Sequence, residues 1–270
     1  WVLGPPLGGW IGQSFGYRSM FLGAFGTFST AAFLFYLLHR RSPHLRPSAK
    51  VNWPSLKTSF LEMGGLILAG GLVTWILIVD GVRDIAFKLS FDLMPVFLSD
   101  IAGISKAEIG ILDGLFGLAI VLSTYPAGIL VDRVSERAGV VIGLAAMILS
   151  RLVFAFSAAF GGFALSWVLL GIGGGMIDPA GSSLIARGVP RHLRGIAYGL
   201  VATSLGIFSL PAPWIGSQIW KSVDPRAPFL LTVLLGLITI VPAWKKLVVS
   251  PAVSESSTRI EHSPRKSDAS

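Results

Sequence analysis

Seven long apolar stretches, separated by short polar segments, make up most of the chain. A helix needs about 20 mostly apolar residues to cross roughly 30 Å of hydrocarbon, and each stretch meets or approaches that length. Barrel strands are shorter and alternate with period two, so the length of the runs favours helices. The pattern predicts an all-α polytopic membrane protein embedded in a lipid bilayer. The stretches cover residues 19–38, 66–98, 108–131, 138–158, 162–186, 196–219 and 227–247.

One region, residues 63–103, allows two interpretations. A turn at residues 81–83 would divide it into two short spans, but the basic segments 39–62 and 132–137 would then lie on opposite sides of the membrane. One long or broken helix keeps both segments on the same side, as the positive-inside rule requires. We therefore predict a single span, which leaves room for a cytoplasmic overhang before Leu72.

Composition and charge agree with a membrane protein and give it an orientation. Hydrophobic residues make up 53% of the chain and charged residues 13%, with a mean hydropathy of +0.72. Alternate loops, together with the C-terminal segment, carry 15 of the 22 Lys and Arg residues. The positive-inside rule therefore predicts that these loops and the C-terminus are cytoplasmic. The net charge of +8 then reflects orientation in a plasma or bacterial inner membrane and predicts no nucleic-acid partner. The basic segments are 39–62, 132–137, 187–194 and 245–270.

Several chemistries find no support in the sequence. The chain has no cysteine, so disulfides, thiolate metal sites and redox motifs are excluded. The four histidines do not cluster with carboxylates at metal-ligand spacing, and no Walker motif or nucleophile constellation is present. We therefore expect neither a metal site nor a cofactor, and we do not expect an enzyme.

The loop after the third complete span combines a small residue with acids and bases. These positions resemble the G-x-L-x-D-R-x-G-R-R signature loop of the major facilitator superfamily, although Ser135 and Glu136 depart from it. The resemblance implies a cytoplasmic latch in which Asp132 is the acid. Independently of the resemblance, a small residue lets the end of the helix pack closely. Ordinary topogenic charge is the alternative interpretation. The matching residues are Gly128, Leu130, Asp132, Arg133 and Arg137.

The first residues carry a second resemblance to that superfamily. They are similar to the fifth-helix motif G-P-x-x-G-G, which is associated with exporters of the antiporter type. Glycine and proline allow close helix contact and a bend where neighbouring helices cover the freed backbone. Residues 171–180 and 191–195 look like the tenth helix and the start of the eleventh. The fifth-helix match consists of Gly4, Pro5, Gly8 and Gly9.

These resemblances imply a domain organisation. The chain looks like an N-terminally truncated member that runs from about helix five to helix twelve. Residues 1–38 would end the N-terminal bundle with the tail of helix five and helix six, and residues 39–62 would form a cytoplasmic linker. Residues 63–248 would form the C-terminal six-helix bundle. Residues 249–270, polar and of mixed charge, would be a disordered cytoplasmic tail.

Charged residues inside the apolar runs are candidates for function because charges at membrane depth are costly. Asp80, Asp84, Lys88 and Asp92 follow one another at steps of four, which places them on one helix face. Facing the central cavity, they would form a proton or substrate-charge site centred on Asp84 and Lys88. An ion-pair ladder that only specifies packing, or a helix protruding into water, remains open.

Three single charges lie on later spans. Asp113 and Arg151 each lie roughly two turns, about 10 Å, from the outer end of their runs, so a structural salt bridge between them is geometrically allowed. Asp178 precedes Pro179 and follows three glycines, where an unwound helix could expose backbone to the transport path.

The leading hypothesis from these features is a secondary active transporter. Proton-coupled export of small organic compounds by alternating access would use protons as the coupling ion and acids in the cavity as their carriers. Two alternatives remain: facilitated uptake of an organic anion held by Arg83 and Lys88, and a non-transporting membrane scaffold or receptor of the same fold.

Overall fold

The computed structural model describes residues 2–41 and 53–248, and these contain only helices and the turns that join them. The all-α prediction is confirmed for this part of the chain. The middle of the predicted linker and the predicted disordered tail lie outside the described residues. The helices are α1 (Gly4–Ser14), α2 (Gly16–Arg41), α3 (Trp53–Leu68), α4 (Leu72–Phe91), α5 (Met94–Val96), α6 (Lys106–Arg133), α7 (Glu136–Phe156), α8 (Phe160–Gly188), α9 (Arg194–Ser209), α10 (Ala212–Ser222) and α11 (Ala227–Lys246).

Five of these helices, α2, α6, α7, α8 and α11, are each long and apolar enough to cross a membrane. Local caps fix the starts of two of them. Ser105 and Glu108 form the capping box at the start of α6, where the Glu108 amide donates to Ser105 Oγ (3.3 Å). Ser135 caps α7 by accepting from the Ala138 amide (3.3 Å). The predicted limits of α6, α7, α8 and α11 agree with the structure to within two residues, and those of α2 to within three.

The apolar run at residues 66–98 contains one continuous helix, α4, through residues 81–83, as predicted. The segment before Leu72 is a separate helix, α3, which is bent by 82° from the helix that follows. Gly70 makes this sharp turn with φ +69°, a conformation that residues with a Cβ rarely adopt. Beyond α4 come α5 and a π-helical turn, Phe97–Ile101.

The run at residues 196–219 is broken, whereas the sequence predicted one span. Helix α9 ends at Ser209 and α10 begins at Ala212, with Pro211 between them. Proline has no amide hydrogen to donate, and its ring clashes with the carbonyl four residues earlier, so it ends or kinks a helix. Helix α10 starts afresh with the Ile215 amide bonded to the Pro211 carbonyl (2.9 Å).

Helix α8 lies between α6 and α7, and at several glycine positions the backbones are too close for a side chain to fit between them. A Cβ on Gly171 would lie 2.5 Å from the Phe116 carbonyl oxygen of α6, and one on Gly143 would lie 2.8 Å from the Gly173 carbonyl oxygen of α8. Two hydroxyls add polar contacts, because Ser150 Oγ donates to the Ser166 carbonyl (2.7 Å) and Ser166 Oγ donates back to the Ser150 carbonyl (2.9 Å). Small residues of this kind let membrane helices approach closely.

Helix α1 packs on α6 in the same manner. A Cβ on Gly9 would lie 2.8 Å from the Lys106 carbonyl oxygen, and one on Gly110 would lie 2.7 Å from the Pro5 carbonyl oxygen. Helix α2, in contrast, exposes large apolar side chains such as Phe25 and Phe28.

Two glycines of α8 predict opposite effects of the same substitution. Gly171→Ala forces a methyl group against the Phe116 carbonyl and the Ala119 side chain, and we expect a loss of about 1–3 kcal/mol in unfolding free energy. Gly181→Ala meets nothing within 4 Å, so the lower backbone entropy of alanine should raise stability by about 0.5–1 kcal/mol. Thermal unfolding of the purified variants in detergent measures both. Equal effects at the two positions would contradict the packing described for α8.

Candidate functional site

A cavity of about 240 Å³ opens between α4, α7, α8 and α9. Its walls are mostly apolar, with Ile76, Val140 and Ile177 among them, and a few polar groups project from α4, α8 and α9. Concave sites of this composition are typical of small-molecule binding, because apolar walls supply contact and a few polar groups supply orientation. The polar and charged lining residues are Asp80, Arg83, Asp178, Ser182 and Tyr198.

Helix α4 carries two ion pairs in succession, which together we call the charge ladder (Asp80, Arg83, Asp84 and Lys88). Arg83 Nη2 lies 2.6 Å from Asp80 Oδ1, and Lys88 Nζ lies 3.4 Å from Asp84 Oδ2. Lys88 also donates to Ser209 Oγ of α9 (2.9 Å). All four side chains are partly covered.

The structure separates the four residues that were predicted to share one face. Asp80 lines the cavity, whereas Asp84 and Lys88 pair beside it and are not part of its lining. Asp92 is exposed at the C-terminal cap of α4, one turn beyond the ladder. Helix α4 thus carries ion pairs, but they include Arg83 and leave out Asp92. Of the predicted four residues, Asp80 is the one that lines the cavity.

Asp178 joins the ladder from another helix. Helix α8 continues without unwinding through Pro179 to Gly188, which corrects the expectation of a broken helix at this point. The turns on either side of the proline are held between α6 and α7, so the loss of one backbone donor does not open the helix. The Asp178 side chain lines the cavity, and its charge interacts with that of Asp80.

The charges around the cavity do not cancel. The ladder and Asp178 together contain three carboxyl groups and two cationic groups, which leaves one excess negative charge when all are ionised. A single bound proton or cation would neutralise it. Sequence reasoning missed Tyr198, whose hydroxyl donates to the Ser182 carbonyl (3.0 Å) at the cavity wall, because a lone tyrosine in an apolar helix gives no signal.

The predicted pair between Asp113 and Arg151 is not formed. Asp113 Oδ1 accepts a hydrogen bond from Trp167 Nε1 (2.9 Å), and Arg151 Nε donates to Ser90 Oγ (3.2 Å). Asp113 is therefore bonded to α8, and Arg151 is bonded to α4 through Nε alone, so the two charges do not pair with each other. Asp113 also lines a second cavity, of about 440 Å³, together with residues of α1 and α6.

The four residues of the fifth-helix motif differ in their surroundings. Gly9 makes the close approach to α6, and the Pro5 carbonyl meets Gly110 there. Gly8 lines the 440 Å³ cavity, and Gly4 has free space around it. The structure therefore accounts for the small size of Gly9 but not for that of Gly4.

The predicted latch residues lie at the junction of α6 and α7. Asp132 Oδ1 is 3.3 Å from Arg187 Nη2 of α8, a residue that sequence reasoning missed because it lies 55 positions away. Arg133 is exposed, and the Arg137 guanidinium lies 4.7 Å from the centre of the Trp244 ring. Gly128 has no atom within 4 Å of a Cβ position, so the close packing expected there is absent.

Glu136, a departure from the signature, is the more buried acid of this cluster. Its Oε1 lies 2.8 Å from Arg187 Nη1 and accepts from Ser183 Oγ (3.4 Å). The Glu136 side chain is 11% exposed, against 74% for Asp132. Arg187 thus bridges one buried and one exposed carboxylate, and the buried pair is the stronger because water screens it less.

No group of three or more acids and histidines is placed to hold a metal ion within residues 2–41 and 53–248. Several charged groups of these ranges pair instead with one another or lie against an aromatic ring.

Comparison with known proteins fits this architecture. The family model described as Major Facilitator Superfamily matches residues 81–268. The quinolone resistance protein NorA of Staphylococcus aureus is 28% identical over 153 residues, which cover 57% of this chain and 39% of NorA. A probable vesicular acetylcholine transporter-B of Danio rerio is 26% identical over 206 residues, covering 70% of this chain and 41% of that protein.

Solved structures share the fold at low identity. A POT family transporter in complex with 5-aminolevulinic acid is 18% identical with a TM-score of 0.56, and the match covers 70% of this chain and 43% of that one. The peptide transporter POT in complex with sulfate is 16% identical with a TM-score of 0.51, covering 69% and 43%.

The helical architecture, the partly charged cavity and the family match define an integral membrane protein of a transporter fold. The chain belongs to the major facilitator superfamily. It spans about 40% of the length of the curated relatives it matches.

The cluster around Arg187 predicts an order of stability effects. Glu136→Ala should cost about 1–3 kcal/mol of unfolding free energy, because it leaves the Arg187 guanidinium without its closer partner. Asp132→Ala should cost less than about 1 kcal/mol, because its pair is exposed. Arg133→Ala is the matched exposed control and should be neutral. Thermal unfolding in detergent at moderate salt measures all three, and a larger loss for Asp132→Ala would refute the order.

Proposed function

We propose that the protein is a secondary active transporter that exports small organic compounds in exchange for protons, by alternating access. The observation that carries the proposal is the excess negative charge at the cavity, where Arg83 pairs with Asp80 and a second acid, Asp178, lines the same cavity from another helix. The similarity to a quinolone resistance protein supports export of organic compounds. The similarity to a vesicular acetylcholine transporter supports a substrate of cationic character.

The exchange follows from the charge balance. A proton on one carboxyl group neutralises the cluster, and so does a cationic substrate. The proton and the substrate therefore compete for the same excess negative charge. Their competition is a negative coupling between proton and substrate, which is what antiport requires. Movement of the two bundles relative to each other would then carry the proton and the substrate across the membrane in opposite directions.

Uptake of an organic anion is the weaker alternative. Arg83 and Lys88, the cations that would hold its carboxylate, are already paired with Asp80 and Asp84. An incoming anion would have to break one of these pairs and approach a cluster that is already negative. A non-transporting scaffold would give no functional reason for charged residues at the cavity.

The cluster of Asp132, Glu136 and Arg187 supports a second element of this proposal. Salt bridges join α6, α7 and α8 at one end of the bundle. A conformational change that moves these helices apart would have to break the salt bridges. We place this end on the cytoplasmic side with the C-terminus, in a plasma or bacterial inner membrane, because the basic segments lie there.

Neutralising the acids tests the mechanism. Asp84→Asn and Asp178→Asn, made in the complete protein, should each reduce proton-driven efflux of the organic cation ethidium at least tenfold while membrane levels stay normal. Loss of a titratable carboxyl removes proton binding, whereas the amide keeps the shape. Ethidium fluorescence and pH-dependent quenching of a proton-sensitive dye, followed in inverted vesicles, report substrate and proton movement separately.

Asp100→Asn is the matched control because Asp100 is exposed and bonds only its neighbour Ser99 among the described hydrogen bonds (2.6 Å). It should transport normally. Full coupled efflux in both Asp84→Asn and Asp178→Asn would refute the role of these acids. Absence of any substrate-dependent proton movement in the unaltered protein would favour the scaffold, and uptake of anions with unchanged proton flux would favour the anion carrier.

A further inference from the structure

Arg151 of α7 is buried more completely than any other charge described in residues 2–41 and 53–248, at 1% exposed. Its Nε donates to Ser90 Oγ (3.2 Å), and the guanidinium lies 5.3 Å from the centre of the Phe87 ring. The two terminal nitrogens, Nη1 and Nη2, are buried and have no hydrogen-bond partner within the described residues. Up to four N–H groups on these two nitrogens therefore have no acceptor among the described residues.

That space is a small cavity of about 30 Å³ beside the guanidinium. It exceeds the roughly 10–15 Å³ needed to admit one water-sized particle, and it is too small for a carboxylate or a phosphate with its substituents. Most of its walls are apolar, including Leu144, Met147 and Leu170. The polar groups of its lining are Arg83, Arg151 and Thr232.

The carboxylates that might balance Arg151 are engaged elsewhere. Asp80 is paired with Arg83, Asp84 is paired with Lys88, and Asp113 accepts from Trp167. The Thr232 hydroxyl donates to the Ala86 carbonyl (2.8 Å), and neither terminal nitrogen of Arg151 is bonded to it. The positive charge of Arg151 is therefore not compensated by any neighbour described at the cavity.

We propose that this cavity binds a monatomic anion, chloride under cellular conditions, held by Nη1 and Nη2 of Arg151. A buried charge without a counter-charge is strongly unfavourable, and an anion would satisfy both the charge and the unpaired donors. Water alone would satisfy the donors but leave the charge. The site lies between α4, α7, α8 and α11. It shares Arg83 and Leu144 with the wall of the 240 Å³ cavity, but Arg151 itself does not line that cavity, so anion binding is tested separately from transport.

Halide dependence of stability tests the site on the purified full chain in detergent. Replacing gluconate with chloride at constant ionic strength should raise the thermal unfolding midpoint by roughly 2–5 °C, because a ligand that binds only the folded state stabilises it. Arg151→Met, which removes charge and donors, should abolish this shift. Lys221→Met, which removes an exposed charge, should keep it.

Bromide anomalous scattering gives a second readout that needs no variant. Crystals of the unaltered protein grown in bromide should show an anomalous peak within hydrogen-bond distance of Nη1 or Nη2. This measurement decides the question if Arg151→Met fails to fold. An unchanged midpoint in chloride, a shift that persists in Arg151→Met, or density for water alone at the guanidinium would each overturn the proposal.

Discussion

Backbone contact at glycine is the interaction on which the rest of this structure depends. Lipid tails are as apolar as leucine, so membrane helices gain little from burying large side chains against each other and gain more from close approach. Gly171 against the Phe116 carbonyl and Gly143 against the Gly173 carbonyl bring α6, α7 and α8 together in this manner. The serine pair, Ser150 and Ser166, then joins α7 to α8 by hydrogen bonds that water does not weaken.

The charged groups are positioned by this close packing rather than by their own attraction. Helix α4 is fixed on one side by Gly216 of α10, which touches the Leu89 carbonyl, and on another by Thr232 of α11, which donates to the Ala86 carbonyl. The charge ladder lies on the same helix, so its acids and bases keep their order next to the cavity. Internal pairing of neighbours on α4 limits the cost of carrying four charges within an apolar bundle.

The sequence predicted the properties that depend on neighbouring residues. Apolar run length and loop charge were sufficient for five of the spans and for the continuity of α4, but not for the break in the run at 196–219. The spacing of four residues was sufficient for the pair of Asp84 with Lys88. Contacts between distant segments were not predictable. No local sequence feature indicates that Asp113 would bond Trp167 rather than pair with Arg151. Nor does any indicate that Arg187 would bridge two acids near residue 132.

The break at Pro211 gives α4 a mechanical role. Ser209, on one side of the break, is held by Lys88, and Gly216, on the other side, rests on the carbonyl of the adjacent residue, Leu89. Both arms of the bent span are therefore attached to a single helical turn. A rotation of α4 about its axis would therefore move both arms of the bent span together, and with them the angle at the proline.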